Sequence, residues 1–230
     1  MQEDYSWAEP PRRTAFPVAQ AGYPLIAAAA FATLVFALLQ LTAPALLGLL
    51  TSLAIAGFFR DPDRIVPQRP GQIVSPADGR VIVADVVASC PFLDGPAYKI
   101  SIFMSVFDVH VNRVPHEGRV AGTRYRPGRF IPADRGEASS RNEHNAVWIE
   151  TPAGERICFV QVAGLIARRI LCTLQEGEAV KRGQRCGMIC FGSRLDVYLP
   201  RSVRPAVAVG DRVQAGTSVL ATFPQEAAHG

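Results

Sequence analysis

The apolar positions divide this chain of 230 residues into two unlike parts. From Thr14 to Phe59 there is no charged residue and no histidine, and Tyr23 to Ala43 is almost purely apolar, about the length of helix that crosses a bilayer core. Pro44 interrupts the run, and Ala45 to Phe59 continue it for a shorter stretch. No polar face recurs along it. A helix that is apolar all round needs a large protein to surround it, and a cleaved signal peptide fits poorly because the first segment is long and runs straight into a second. The pattern therefore predicts a membrane-embedded helical hairpin over residues 22–59, turning near Pro44. Residues 1–21, polar and proline-bearing with no sustained period, read as a mobile tail.

Beyond Phe59 the pattern changes. Residues 60–72 are rich in proline and charge and read as a linker at the membrane surface. From Ile73 onward, short Val- and Ile-rich runs alternate with Gly and Pro turns. Val81–Val83, Lys99–Phe103, Ala146–Ile149, Ile157–Val162 and Ser218–Thr222 read as strands. The expected class is mainly β (α+β), with a catalytic β-rich domain over residues 73–230. One spacing recurs: Gly177-Glu178-Ala179-Val180-Lys181-Arg182-Gly183 and Gly210-Asp211-Arg212-Val213-Gln214-Ala215-Gly216 share G-x-x-V-x-x-G. Such turns resemble those of lipoyl- and biotinyl-type barrel-sandwich domains. That analogy concerns fold and carries no function, and Lys181 lacks the flanking methionines of a carrier lysine.

The net charge is +4, and Lys99 and Lys181 are the lysines among the 24 basic residues. Arginine suits phosphate groups through its planar fork of donors, although a coding bias toward arginine explains the excess equally well. Arg12 and Arg13 precede the apolar block and Arg60, Arg64 and Arg69 follow it, so the positive-inside tendency puts both flanks in the cytoplasm. The five cysteines are an odd number without paired metal spacing, which argues for reduced thiols and against a disulfide scaffold or a metal site.

Reactive residue types gather in four separated segments. Ser75-Pro76-Ala77-Asp78-Gly79 presents a carboxylate just before a strand, in what would otherwise be an ordinary Asp-Gly turn. The run from Phe103 to Pro115 delivers Asp108, His110 and Arg113 within one short span, where a histidine can exchange protons near neutral pH. Arg141-Asn142-Glu143-His144-Asn145 is a polar loop entering the strand at Ala146. In Cys190-Phe191-Gly192-Ser193-Arg194, between two apolar runs, Gly192-Ser193 should sit in a tight turn or at a strand end. A glycine there leaves its carbonyl open to attack by the hydroxyl that follows. Alone, a Gly-Ser pair is usually a plain turn.

Taken together, FFRDPDR (58–64), IVSPADGRV (73–81), ISIFMSVFDVHVNRVP (100–115), the Asn142-Glu143 pair, GLIARRI (164–170) and FGSRLDVYLP (191–200) resemble the phosphatidylserine decarboxylase family. The likeness is greatest to its short bacterial branch with a Gly-Ser-Arg self-cleavage motif. The resemblance implies a proenzyme cut between Gly192 and Ser193 into a large subunit (1–192) and a small subunit (193–230). Ser193 would become a pyruvoyl group that forms a Schiff base with the amine of phosphatidylserine, and the products would be phosphatidylethanolamine and carbon dioxide. His110 matches the family histidine assigned to acid–base work, and Asp78 matches the aspartate that supports Ser193 activation.

The chain departs from the family pattern at Arg113, where longer relatives carry a second histidine; an arginine cannot serve as a base at neutral pH. Either His110 covers both tasks, or Asp78 acts more directly, or His144 or His116 contributes. The partners implied are phosphatidylserine in the membrane and the two subunits of one precursor, with no nucleic acid and with homo-oligomerisation left open. The implied location is the cytoplasmic face of the cell membrane. Two other readings stand beside this one: a non-enzymatic membrane-tethered barrel-sandwich adaptor, which leaves Asp78, His110 and Ser193 unexplained, and a pyruvoyl decarboxylase of another amine, against which the apolar block argues.

Overall fold

The computed structural model describes residues 5–7, 9, 17–164, 169–190 and 192–224. The chain forms two compact units, Arg12–Asp63 and Arg64–Gly230 with Met1–Pro11.

The first unit is a pair of apolar helices, α1 (Tyr23–Leu38) and α2 (Thr42–Phe58). With the single turn before it, α1 covers Gln20–Leu38, 19 residues, long and apolar enough to cross a membrane; α2, with 17 residues, is shorter. Leucines crowd the outside of this unit, with Leu38 73% exposed and Leu47 67%. The chain reverses through Leu39–Leu41, with Gln40 in the left-handed region at φ 57. The turn lies just ahead of Pro44, near which it was expected; Pro44 itself lies in the first turn of α2, where backbone N–H groups lack intrahelical partners and proline costs nothing. Small residues let the helices approach. A Cβ on Gly48 would come 2.6 Å from Thr33 Oγ1, and Thr33 and Ser52 hydroxyls are 3.4 Å apart. The ends of the hairpin are tied to each other: the Ala19 N–H donates to Phe59 O (2.8 Å) and the Asp61 N–H to Pro17 O (2.9 Å). Entry and exit therefore lie side by side.

In the second unit the strands are β1 (Tyr5–Trp7), β2 (Ile65–Pro67), β3 (Gln72–Val74), β4 (Gly79–Val87), β5 (Ala97–Met104), β6 (Val111–Arg113), β7 (Gly118–Arg126), β8 (His144–Glu150), β9 (Arg156–Val162), β10 (Ile170–Cys172), β11 (Ala179–Val180), β12 (Arg185–Ile189), β13 (Ser193–Pro200), β14 (Arg204–Pro205), β15 (Arg212–Val213) and β16 (Val219–Thr222). Every run expected as a strand falls in one, apart from Ser218, which just precedes β16, and the mainly β class holds. Eight strands make the principal sheet, in the order β11-β7-β8-β9-β13-β5-β4-β15. Smaller sheets, β10-β12-β6 and β14-β16-β3, supply Ile189, Ile73 and Leu220 to the core shared with Ile102, Phe159 and Leu195. The two G-x-x-V-x-x-G segments hold the short strands at the opposite edges of this sheet. The sheet curls until they meet, for a Cβ on Gly216 would lie 3.6 Å from Gly183 Cα. The result is a half-barrel.

Two stretches depart from expectation because their pairing is long-range and leaves no local period. Tyr5–Trp7, in the expected tail, pairs with β2 of the expected linker, Ser6 opposite Val66. Residues 1–4, 8 and 10–16 of that tail lie outside the described residues.

Curling also brings backbones together without side chains between them. A Cβ on Gly79 would sit 2.2 Å from the Phe103 carbonyl oxygen and 2.9 Å from its carbon. Backbone on an inner strand yields poorly, so Gly79→Ala should cost on the order of 1–3 kcal/mol. Gly136→Ala, with nothing within 4 Å of the added Cβ, should be near neutral. Thermal unfolding of the two variants in detergent checks the difference; equal midpoints would mean that the contact relaxes freely.

Candidate active site

Strand β13 runs between β5 and β9, with Ser193, its first residue, in register with Met104 and Arg194 in register with Phe103 and Val162. Side chains alternate along a strand, so Ser193 shares the core face with Leu195, Val197 and Leu199. It is fully buried, and among the described residues its Oγ has no hydrogen-bond partner. A buried hydroxyl left in that state costs about 1–3 kcal/mol and calls for a reason. The preceding Gly192 is in the left-handed region (φ 64), and its carbonyl oxygen rests on the bare Cα of Gly164: a Cβ there would come 1.6 Å from it. The peptide bond ahead of the buried hydroxyl is thus held by a contact only glycine permits. Much of the motif at 164–170, and Phe191, lie outside the described residues.

His110 arrives at the same end of the sheet. The loop from Met104 is fixed by Asp108, whose Oδ2 accepts from the Ser105 N–H (2.8 Å) and Oγ–H (2.7 Å). His110 is fully buried, and its Nδ1–H donates to the Asp108 carbonyl (2.9 Å), which leaves the lone pair on Nε2. Its own carbonyl accepts from the Ile189 N–H (3.4 Å) at the end of β12, just ahead of Gly192.

A chain of buried amides lies on the Ser193 face. The Gln161 side chain, opposite Leu195, donates to Asn112 Oδ1 (2.9 Å) and Leu171 O (3.3 Å), and Asn145 Nδ2 donates to Gln161 Oε1 (3.2 Å). Asn112 Nδ2 points at the sulfur of Met104 (3.8 Å), the register partner of Ser193. Sequence reasoning missed these three. The available signal was three amides at inward positions of otherwise apolar strands.

Asp78 sits one strand further, at the start of β4. Oδ2 accepts from Arg64 (2.8 Å) and Oδ1 from the Ala215 N–H (2.7 Å), so neither oxygen is bonded to Ser193. Burial raises its carboxyl above the ordinary range, and the Arg64 guanidinium pulls it only part of the way back. Arg64, read as linker, is therefore this carboxylate's counter-ion. Arg113 turns to the other side of β6 from Asn112 and donates to Gly183 O (2.9 Å). His144 stands in the row of Val162 and Arg194, on the face opposite Ser193, with its Nδ1–H on Asn142 O (2.8 Å). His116 leads into β7 and packs edge-on against Phe223, whereas the far end of β7, at Arg126, is the one in the His144 row. Neither of these histidines reaches the Ser193 face.

On the opposite face the residues after Ser193 form a buried ion network. Arg194 donates to Asp196 Oδ1 (2.6 Å), Ser101 Oγ (3.0 Å) and Arg135 O (3.2 Å), while Asp196 Oδ2 accepts from Ser139 Oγ (2.6 Å) and lies 3.2 Å from Lys99 Nζ. Burial would raise the Asp196 carboxyl, but Arg194 and Lys99 outweigh it and hold it below the ordinary range.

A sequence profile described as phosphatidylserine decarboxylase matches residues 52–221. Among curated proteins named phosphatidylserine decarboxylase proenzyme, that of Desulfotalea psychrophila is 47% identical over 204 residues, 89% of this chain and 95% of that protein. That of Syntrophus aciditrophicus is 47% identical over 207 residues, 90% and 97%. That of Geotalea uraniireducens is 48% identical over 208 residues, 90% and 97%.

The ion network generates a pH dependence. A carboxyl held low in the folded state contributes stability above its unfolded value, about 3.9, and loses it as the pH falls through its depressed folded value. Asp196→Asn should cost about 3–5 kcal/mol at neutral pH, because Arg194 and Lys99 are left buried without their anion. The gap to the unmodified chain should narrow on acidification to about pH 3. Urea midpoints across that range test this, and a gap independent of pH would remove the charge from the explanation.

Proposed function

The chain belongs to the phosphatidylserine decarboxylase family, and we propose that it decarboxylates phosphatidylserine to phosphatidylethanolamine through a pyruvoyl group that it makes from its own Ser193. One observation carries the reading: a fully buried Ser193 Oγ with no partner among the described residues, next to a Gly192 carbonyl fixed on Gly164.

In the first stage Ser193 Oγ attacks the Gly192 carbonyl carbon and gives up its proton to a base. The amide C–N bond breaks, the nitrogen leaves as the amine of residue 193, and an ester joins Gly192 to the serine oxygen. β-Elimination frees residues 1–192 as a carboxylate and leaves dehydroalanine, which hydrolyses to the keto group with loss of ammonia. His110 is the base we favour: with Nδ1–H donating to Asp108 O, Nε2 is the ring nitrogen able to accept a proton, whereas Asp78 is bonded to Arg64 and Ala215 and His144 faces the other way. Asp78 acts at one remove, as the buried anion that holds Arg64 beside the site.

The Ser193 face suits the group, because Ser193 is fully buried there and the side-chain amides of Asn112 and Gln161 lie on the same face. A pyruvoyl ketone supplies a carbonyl for the substrate amine and a sink for the electron pair left by carbon dioxide. The protein's own residues then orient and protonate. His110 Nε2 delivers a proton to the carbon that has lost its carboxylate. The hairpin keeps the site at the bilayer. Its ends emerge together and arginines flank both, which favours the cytoplasmic face for both.

Ser193→Ala should remain one uncut chain without activity, as read by denaturing gel and by intact mass of the small fragment. Gly164→Ala should slow self-cleavage strongly by displacing the Gly192 carbonyl, with Gly136→Ala as the neutral control. A cleaved, active Ser193→Ala protein would end the proposal. His110→Ala should lower turnover by about 10²–10⁴ in whatever fraction is cleaved, measured as carbon dioxide release per keto group. Near-normal turnover would remove His110 from the mechanism.

A further inference from the structure

The loop that fixes His110 also presents an apolar tip. Val106 is 41% exposed and Phe107 83%, the most exposed large apolar side chain among the described residues of the β unit. Exposure of a phenylalanine to this degree is unfavourable in water, and mobility does not excuse it here. The turn is clamped by both hydrogen bonds to Asp108 Oδ2, from the Ser105 N–H and the Ser105 hydroxyl. Its stems are site residues on both sides: Met104 stands in register with Ser193, and His110 is held by Asp108 O.

At the end of the sheet from which this loop leaves, exposed arginines outnumber unpaired carboxylates among the described residues. The end of the sheet at which β13 begins is also where β5 and β9 end and β8 begins, and β7 ends beside it. Arg126, Arg129, Arg135 and Arg169 are exposed there, and Arg169 lies against the Ile189–Cys190 corner that meets His110, its carbonyl accepting from the Cys190 N–H. On the acidic side, Asp134 and Glu143 are present, Glu137 is paired with Arg141, and Asp108 is occupied by its loop. An apolar point in a field of arginines matches the boundary between anionic headgroups and acyl chains, where aromatic residues settle.

We propose that the Val106–Phe107 turn is a wedge that enters the surface of an anionic phospholipid bilayer and draws the Ser193 end of the sheet onto it. This rests on the lipid substrate proposed above. It assigns the β unit a membrane contact of its own, distinct from the hairpin.

The test uses the full-length protein with its hairpin, as Phe107→Asp and Phe107→Leu. Each is assayed on vesicles of phosphatidylserine and phosphatidylcholine and on a short-chain phosphatidylserine below its micellar concentration. Burial of one phenylalanine converts to roughly 10- to 100-fold. Phe107→Asp should therefore lose about that factor in kcat/KM on vesicles and less than about twofold on the dispersed lipid, while Phe107→Leu keeps both. Equal loss on both substrates, or none on either, overturns the wedge. If the unmodified protein decarboxylates neither lipid, the proposed function fails, and a second readout still decides the wedge. Phe107→Trp fluorescence should be quenched by vesicles carrying brominated acyl chains beyond the quenching seen in the unmodified chain, which contains Trp7 and Trp148. Absence of added quenching overturns the wedge whatever the activity.

Discussion

Backbone resting on backbone is the constraint from which this β unit follows. At Gly79 and Gly164 a carbonyl oxygen occupies the volume a Cβ would fill, that of Phe103 in one case and of Gly192 in the other. The first contact lets β4 lie tightly on β5 while the sheet bends. The second comes at the same end and fixes the peptide before Ser193. Sheet curvature and the presentation of that carbonyl are thus two results of the same local economy of side chains. The polar groups of the site are arranged around them: amides on the inner face, and an ion network on the outer.

The two faces of β13 do different work with alternate residues. Ser193 and Leu195 look inward to the amides and the core, whereas Arg194 and Asp196 look outward to Lys99, Ser101 and Ser139. A buried ion network is weak evidence for stability, since removing charges from water is costly. It is good evidence for specificity of position, because a strand shifted by one residue would bring Arg194 into the apolar core.

Much of this could be read in the sequence wherever the signal was local. The apolar block, the Val- and Ile-rich strands, the recurring glycine turns and the Gly192-Ser193 junction each depend on neighbours within a few residues. Tyr5–Trp7, Arg64 and the Asn112–Gln161–Asn145 chain depend on partners far along the chain, and no period announces them. Pro44 marked the neighbourhood of the reversal without making it. A proline that breaks a helix interior is harmless in a first turn, and the reversal was instead made by Gln40, which has no turn signature. Arg113 was visible as a departure, but only the alternation along β6 reveals that its side chain leaves the Asn112 side for Gly183.

β13 is hydrogen-bonded along both edges, to β5 from Ser193 to Pro200 and to β9 from Arg194 to Tyr198. A break at the strand's first residue therefore spares the ladder from Arg194 onward. The shorter piece supplies a central stave of the half-barrel, gripped on its left and its right. Maturation of this chain would then be mechanically quiet: a covalent bond is exchanged for a new chain end while the load stays on the cross-strand bonds. Separating the two pieces would require unfolding the molecule.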